Sequence, residues 1–238
     1  VGAGYIGVEL AEAFRRNGRE VTVIDCADTC LSGYFDPEFT DKMKTRLEEN
    51  GVQLAFGETV KELTGDTKVK KVITDKGEYD TDMVVLAIGF RPNNAIGKER
   101  LELFRNGAYL VNRSQETSVK DVYAVGDCAT VYDNAIQDVN YIALATNAVR
   151  SGIIAAHNAC GTNLETVGVQ GSNAISIWGL HMISTGMTLT KARRNGYDAA
   201  ATDFEDYQKA LFIESGNYKV KIRIVYDKKT RIVLGAQL

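Results

Sequence analysis

The sequence has only 2 prolines and 4 cysteines among its 238 residues. With so few prolines beside 22 glycines, we expect glycine turns rather than proline-rich linkers or low-complexity tails. The longest apolar runs, such as residues 83–90, fall far short of the ~18 residues that a membrane-spanning helix needs. The first residues also lack the basic and then apolar pattern of a secretory leader. These absences predict a cytoplasmic protein.

The charges are nearly balanced, with 28 Lys plus Arg against 31 Asp plus Glu and a net charge of −3. Without a basic excess the protein has no field to attract nucleic acid or an anionic membrane, so neither is predicted as a partner. Hydrophobic residues make up 45% of the chain, which is enough for a sizeable core in one or two domains.

The four cysteines, Cys26, Cys30, Cys128 and Cys160, form neither a dense disulfide framework nor the paired spacings of a zinc site. No metal is therefore predicted. Cys26 and Cys30 are separated by three residues instead of the two of a redox Cys-x-x-Cys motif. We interpret all four as structural or incidental thiols.

Apolar periodicity and turn residues predict the first elements of the chain. Residues 5–17 indicate a helix ended by Gly18, followed by a strand over 20–25. A second helix is expected to begin with Asp36 as its cap and to run to residues 50–51. Short strands are predicted over 52–55, 60–63, 69–74 and 79–81. The apolar stripe of the first helix is predicted to consist of Ile6, Leu10, Ala13 and Phe14.

An unbroken apolar run over 83–88 predicts a parallel strand that is covered on both faces. The pattern then weakens and resumes with a strand over 122–125, a turn at Gly126 and Asp127, and a long helix over about 141–159. Later residues predict strands over 174–177, 182–185, 199–204, 219–226 and 231–238, with a helix near 191–195. Alternation over 219–224 is typical of a half-exposed antiparallel strand.

Gly2, Gly4 and Gly7 form a Gly-x-Gly-x-x-Gly turn at the start of the first helix. The first glycine suits the tight turn, the second the approach of a pyrophosphate, and the third close packing of helix and strand. Free N–H groups at the helix start favour the phosphates. Asp25 follows eighteen positions after Gly7 (25 − 7), close to the ~20-residue offset of a carboxylate that binds an adenosine ribose. A glycine-rich connector followed by an acid that merely ends a strand is the alternative.

Asp25 also favours NAD(H) over NADP(H). A 2′-phosphate ~5 Å from the carboxylate would be repelled by roughly 3 kcal/mol per unit charge at an effective dielectric near 20. No arginine follows Asp25 to neutralise such a phosphate.

A second constellation covers residues 117–127, where a polar pair and a short apolar strand lead to Gly126 and Asp127. An acid held at a strand end beside a glycine can reach a ligand hydroxyl, and the following helix offers N–H dipoles near Leu144, Ala145 and Thr146. A simple turn explains the Gly-Asp pair equally well on spacing alone.

With both constellations in this order, the chain resembles the flavin-dependent pyridine nucleotide-disulfide oxidoreductases, and most closely their NADH oxidase branch of the water-forming type. The resemblance extends over the whole chain and includes GAGYIGVELAEAF, LAIGFRPN and ETSVKDVYAVGDCATVYD. It implies an α/β fold with a Rossmann-like NAD-binding domain over 1–92. Residues 93–165 would then be the return segment of an FAD-binding domain, and 166–238 part of an α+β dimerisation domain. The resemblance also implies that both ends of the protein lie outside this sequence.

Residue by residue, the resemblance implies that NADH contacts Ile6, Asp25, Tyr34 and Gly89. Tyr5 would shield the flavin face until the nicotinamide displaces it. On the FAD side, Asp127 would bind the ribityl chain, and the flavin ring edge would meet three residues at a helix start, Leu144, Ala145 and Thr146.

The implied activity is hydride transfer from NADH to FAD and reduction of dioxygen, to water in the leading interpretation, by a homodimer or higher homo-oligomer. Water-forming relatives use a redox cysteine that passes through sulfenic acid. None of the cysteines in this chain matches that position, so the redox cysteine is expected upstream of Val1 and no catalytic residue is assigned here. NADH peroxidase or coenzyme A-disulfide reductase activity is the alternative within the fold. A non-catalytic NAD-binding or redox-sensing module is the alternative of another class.

Overall fold

The structure, a computed structural model, describes residues 1–238. The chain forms two compact units, one made of Val1–Gly89 with Asn173–Leu238 and the other of Phe90–Ser172. The compact units change after residues 89 and 172. The domain boundaries predicted after residues 92 and 165 stay a prediction. No helix combines the length and the apolar character needed to cross a bilayer.

The first unit begins with two helices that alternate with two parallel strands. These elements are α1 (Tyr5–Arg16), β1 (Val21–Asp25), α2 (Pro37–Glu49) and β2 (Val52–Phe56). An antiparallel three-stranded sheet follows, made of β3 (Val60–Gly65), β4 (Val69–Thr74) and β5 (Glu78–Asp80). All of these lie within a few residues of their predicted positions, and Gly18 ends α1 with a φ of +72° as expected.

The stripe predicted for α1 is wrong. Its buried residues are Val8 and Ala11, whereas Ile6 is 55% exposed. The cause is the close approach of helix and glycine turn at Gly7, where a Cβ would lie 1.9 Å from the carbonyl oxygen of Gly2. The face that continues from this contact buries Val8 and Ala11, whereas Leu10 and Phe14 are half-buried and Ala13 is exposed.

The prediction of a doubly covered strand over 83–88 is also wrong. No regular strand forms here, although the Val1 nitrogen donates to the Val85 oxygen (2.8 Å) and the Ala87 N–H donates to the Val1 oxygen (2.7 Å). The side chains of Met83, Leu86 and Ile88 are 55%, 59% and 69% exposed, so the segment is not covered on both faces.

The second unit contains a short 3₁₀ turn and three regular elements. The turn covers Gly126–Cys128 and precedes β6 (Val131–Asp133), β7 (Asp138–Asn140) and α3 (Ala145–Ala159). The strand predicted over 122–125 is wrong, because only an isolated bridge between Glu116 and Tyr123 forms there. The long helix begins at Ala145 and not at Tyr141, because β7 and the extended backbone of Leu144 precede it.

The rest of the first unit is an antiparallel sheet with one helix. It comprises β8 (Asn173–Ile177), β9 (Leu180–Gly186), α4 (Leu189–Arg194), β10 (Ala199–Tyr207), β11 (Lys219–Asp227) and β12 (Val233–Gln237). The five strands are ordered β10-β11-β12-β9-β8. Ile177 and Met182 of this sheet share one core with Phe39, Met43 and Leu47, so the sheet packs against α2.

β11 is a half-exposed antiparallel strand as predicted, but one of its charged residues is buried. Arg223 is 7% exposed, while its neighbour Ile224 is 38% exposed. The Arg223 guanidinium donates paired hydrogen bonds to Asp203 (2.7 and 2.8 Å) and to Glu38 of α2 (2.7 and 2.8 Å). An arginine with two carboxylate partners satisfies its charge on the inner face of the sheet.

Asp36 stands at the N-cap position of α2, but its side chain does not cap that helix. Its carboxylate accepts hydrogen bonds from the N–H groups of Leu189 and Thr190, from the Thr190 hydroxyl and from the Gln237 amide. The predicted N-cap residue is therefore confirmed, but its side chain bonds other elements instead of the N–H groups of α2. The carboxylate, 2% exposed, instead ties α2 to the start of α4 and to β12.

Acid should weaken the ion pairs of Arg223 with the carboxylates of Asp203 and Glu38. Hydrogen bonds from Arg223 lower the pKa of Asp203 to about 2 and also lower the pKa of Glu38. A carboxylate with a depressed folded-state pKa stabilises above its unfolded pKa, and this stabilisation is lost as the pH falls through the folded value. We expect the free energy of unfolding to fall between about pH 4 and pH 2. Urea titrations at stepped pH should show a shallower decline in Arg223→Met, and equal slopes would contradict the assignment.

Candidate functional site

The glycine turn before α1 has the geometry of a phosphate cradle. Gly2 has a φ of +99°, and a Cβ on it would lie 2.4 Å from the Ala87 carbonyl oxygen. Gly4 occupies the N-cap position, and a Cβ there would meet nothing within 4 Å. The turn is therefore closed on its protein side at Gly2 and open in front of the helix at Gly4.

The start of α1 carries donors that the helix itself cannot satisfy, because the first N–H groups of any α-helix lack an intrahelical acceptor. No side chain caps this helix, and its first turn contains no acidic residue. The positive end of the helix dipole therefore faces the open side of the turn, an arrangement suited to a dinucleotide pyrophosphate.

Asp25 fixes the glycine turn from the end of β1. Its carboxylate accepts hydrogen bonds from the Ala3 N–H (2.6 Å) and the Ala27 N–H (2.8 Å), one on each oxygen. The Ala3 carbonyl in turn accepts the Leu31 N–H at 2.8 Å. Each carboxylate oxygen keeps a second acceptor site, so Asp25 can hold the turn and still accept ribose hydroxyls.

Two tyrosines lie beside the turn. The rings of Tyr5 and Tyr34 meet edge to face with their centroids 4.6 Å apart. Tyr34 is 39% exposed, and the Tyr5 hydroxyl is buried without a hydrogen bond of ordinary geometry. Burial, which outweighs the influence of the Ser184 side chain, raises the pKa of Tyr5 well above its usual range. Tyr5 therefore presents a neutral aromatic ring at physiological pH.

The other two residues predicted to contact NADH are accessible. Ile6 projects from the first turn of α1 and is 55% exposed. Gly89 is exposed and has a φ of +87°, a conformation that favours glycine. The first unit thus brings together Gly2, Gly4, Tyr5, Ile6, Gly7, Asp25 and Tyr34, with Gly89 at its chain boundary.

The residues predicted to bind FAD lie in the second unit. Gly126 has a φ of +73°, and its N–H donates to the Ser151 hydroxyl of α3 at 3.0 Å. This contact holds the 3₁₀ turn against the helix. Asp127 is exposed, and its backbone oxygen accepts a hydrogen bond from the Tyr141 hydroxyl at 2.7 Å. This hydrogen bond uses only the backbone of Asp127, so its carboxylate is free to accept a hydrogen bond from a ligand hydroxyl.

The start of α3 offers the second feature expected of a flavin site. Leu144 is the N-cap residue and is half-buried, while Ala145 and Thr146 are exposed. No side chain caps the helix, so the first N–H groups are available to an anionic or carbonyl-bearing ring edge. An exposed carboxylate that accepts hydrogen bonds and an uncapped helix start that donates them fit the hydroxyl chain and the polar edge of a flavin.

The cysteines differ in environment, and all four are free thiols. Burial raises the pKa of Cys30 to about 11, which leaves it protonated and unreactive. Cys26 and Cys160 are exposed, and Cys128 is half-buried with its Sγ 3.3 Å from the Val125 oxygen.

The sequence did not indicate three buried polar residues of the antiparallel sheet, Ser184, Arg223 and Gln237. Charged residues at alternate positions of β11 were the available signal. Alternation gives the period of a strand but not which of its faces is buried, and Arg223 lies on the buried face.

Comparison with known proteins agrees with this geometry. Residues 1–152 match the family described as pyridine nucleotide-disulphide oxidoreductase. An NADH oxidase of Streptococcus pyogenes is 67% identical over all 238 residues, which cover 52% of that protein. The chain thus spans about half the length of the curated relatives it matches.

Solved structures give the same result. The water-forming NADH oxidase of Lactobacillus brevis bound to NADH superposes with a TM-score of 0.95 at 38% identity, covering 99% of this chain and 52% of that one. An engineered NADPH oxidase derived from it and bound to NADPH has the same TM-score, identity and coverage. The predicted α/β fold with partial domains is confirmed. The chain belongs to the pyridine nucleotide-disulphide oxidoreductase family.

Proposed function

We propose that the whole protein containing this chain is an FAD-dependent NADH oxidase that reduces dioxygen to water. The observation that carries the proposal is the glycine turn held by Asp25 and open at Gly4, in a chain that superposes on an oxidase bound to NADH. The uncapped start of α3 and exposed Asp127 support the flavin assignment.

In this proposal the α1 start and the glycine turn bind the NADH pyrophosphate, and Asp25 accepts the hydroxyls of the adenosine ribose. Ile6, Tyr34 and Gly89 contact the nucleotide, while Tyr5 lies beside the nicotinamide. Asp127 orients the flavin hydroxyl chain, and the Leu144–Thr146 segment meets the ring edge. FAD, when bound, supplies the redox chemistry by accepting electrons from NADH and passing them to dioxygen. The protein supplies position and electrostatics.

An oxygen electrode tests the proposal. The whole protein, loaded with FAD and given NADH in air, should consume one dioxygen for two NADH and release no peroxide. Added catalase should leave the oxygen trace unchanged. Peroxide that accumulates, or activity that requires peroxide or a disulfide as acceptor, would instead support the peroxidase or disulfide reductase alternatives.

Asp25→Asn should weaken NADH binding by ~1–3 kcal/mol, the scale of a hydrogen bond to a charged group. It should weaken NADPH binding less, because the repulsion of a 2′-phosphate disappears with the charge. The engineered NADPH-binding oxidase supports this assignment, since its five substitutions include an aspartate replaced with alanine and, directly after it, an alanine replaced with arginine.

Isothermal titration with each nucleotide measures the change. Asp28→Asn is the matched control, because Asp28 is an exposed acid three residues along the same loop. An Asp25→Asn variant that keeps its NADH affinity and its NADH preference would reject the assignment.

The partners proposed are NADH, dioxygen and a second copy of the protein. Support for self-association comes from the outer face of the antiparallel sheet, where Phe204 is 62% exposed opposite Ile222 and Ile224 is 38% exposed. Apolar residues grouped on one exposed sheet face are typical of an interface. Analytical ultracentrifugation of the whole protein should give a dimer or larger, and a monomer at micromolar concentration would contradict self-association.

A cytoplasmic location is proposed from the sequence.

A further inference from the structure

A row of polar side chains crosses the inner face of the antiparallel sheet. In the strand register Asp203 lies opposite Arg223, Arg223 opposite Gln237, and Gln237 opposite Ser184. Arg223, Gln237 and Ser184 are 7%, 1% and 6% exposed. Buried polar groups on neighbouring strands need partners in the layer that covers them.

For Gln237 that partner is Asp36. The Gln237 Oε1 accepts the backbone N–H of Asp36 at 2.6 Å, and its Nε2 donates to the Asp36 carboxylate at 2.6 Å. The carboxylate also accepts hydrogen bonds from Leu189 and Thr190. Asp36 is thus fixed both at its backbone and at its side chain.

This fixed point lies two residues after Tyr34. The residue between them, Phe35, is buried in the core at 3% exposure, and the N–H groups of Tyr34 and Phe35 both bond the Leu31 carbonyl. Because the backbone is held at Leu31 and at Asp36, the position of the Tyr34 backbone, from which the ring projects, is restricted. The Tyr34 ring in turn contacts Tyr5.

We propose that Gln237 is a positioning residue for the NADH site. By holding Asp36 it sets the place of Tyr34 and, through the ring contact, of Tyr5, without touching the nucleotide itself. The inference rests on the proposed function, which assigns these two tyrosines to NADH. It links β12, the central strand of the antiparallel sheet, to nucleotide affinity.

The test is an NADH titration of the FAD-loaded whole protein, which is reduced beforehand and kept free of oxygen so that NADH is not consumed. Energy transfer from protein tryptophan, including Trp178 of this chain, to bound NADH gives the dissociation constant. Gln237→Met removes the amide at constant length, and Gln237→Glu keeps one acceptor but sets a carboxylate against Asp36. Val225→Ala is the control, because Val225 is buried on the same sheet and makes no hydrogen bond to Asp36. Each variant is also made with Tyr34→Ala, and its melting temperature is recorded.

The dissociation constant for NADH should rise about tenfold in both Gln237 variants and stay within about twofold in Val225→Ala, whatever the melting temperatures. With Tyr34→Ala present, the Gln237 substitutions should add less than about twofold, since the ring they position is gone. Unchanged affinity in either folded Gln237 variant, or the same tenfold loss without Tyr34, would overturn the inference. A parent protein that fails to bind NADH would contradict the proposed function instead.

Discussion

Replacing Arg223 with methionine is expected to lower the free energy of unfolding by about 3 kcal/mol. The substitution removes the shared partner of Asp203 and Glu38 and takes a cation from 3.6 Å of the buried Asp36. Removing one side of a buried ion pair costs about 3–5 kcal/mol, because the remaining charge stays uncompensated. The lower end applies here, since the side chain of Glu38 is 50% exposed and can turn to water.

Lys221→Met is the matched control on the same strand. Lys221 pairs with Asp203 at 3.3 Å, but both side chains are partly exposed, so its loss should cost less than about 1 kcal/mol. Urea unfolding of both variants at neutral pH measures the difference. If the two substitutions cost the same, the Arg223 cluster does not stabilise the fold in the way its geometry indicates.

Gly2→Ala is the second substitution for which we expect a large effect. The backbone at Gly2 has a φ of +99°, and a Cβ would lie 2.4 Å from the Ala87 carbonyl oxygen. Backbone strain of this kind costs about 1–3 kcal/mol, and the clash adds to it unless the turn moves. We expect about 3 kcal/mol of lost stability and a loss of NADH binding of more than about tenfold, because a displaced turn no longer presents its N–H groups.

Gly4→Ala separates binding from folding. Gly4 has a φ of −76° and open space where a Cβ would stand, so the substitution should cost only about 1 kcal/mol or less of stability. NADH affinity should nevertheless fall, since the new methyl occupies the space that a pyrophosphate would use. Thermal unfolding and NADH titration of the two variants give the comparison. A Gly4→Ala variant that binds NADH normally would place the phosphates elsewhere.

The glycine turn and Asp25 could be predicted from the sequence because their function depends on local spacing. A helix start must follow a turn directly, and a strand of fixed length then carries the acid to the same sheet edge. The same holds for Gly126 and the start of α3. These features need no knowledge of which distant residues meet.

The errors have the opposite origin. The burial of Arg223 on β11 depends on Glu38, which is 185 residues away in sequence. The side chain of Asp36 leaves its own helix for donors at Leu189 and Thr190. Whether residues 83–88 are covered depends on which strands lie beside them, and hydrophobic periodicity does not predict that. Local patterns therefore predict most of the helices and strands and the glycine turn, but they do not predict the strands' neighbours or the long-range polar contacts.

The double attachment of Ala3 has a consequence for the thermodynamics of nucleotide binding. Its N–H is held by Asp25 and its carbonyl by Leu31, so the turn is ordered before any ligand arrives. Ordering one free residue costs about 1–2 kcal/mol of conformational entropy. A turn that is already rigid avoids this cost on association, so calorimetry should show a smaller unfavourable entropy than in a variant where the Ala3 attachments are cut.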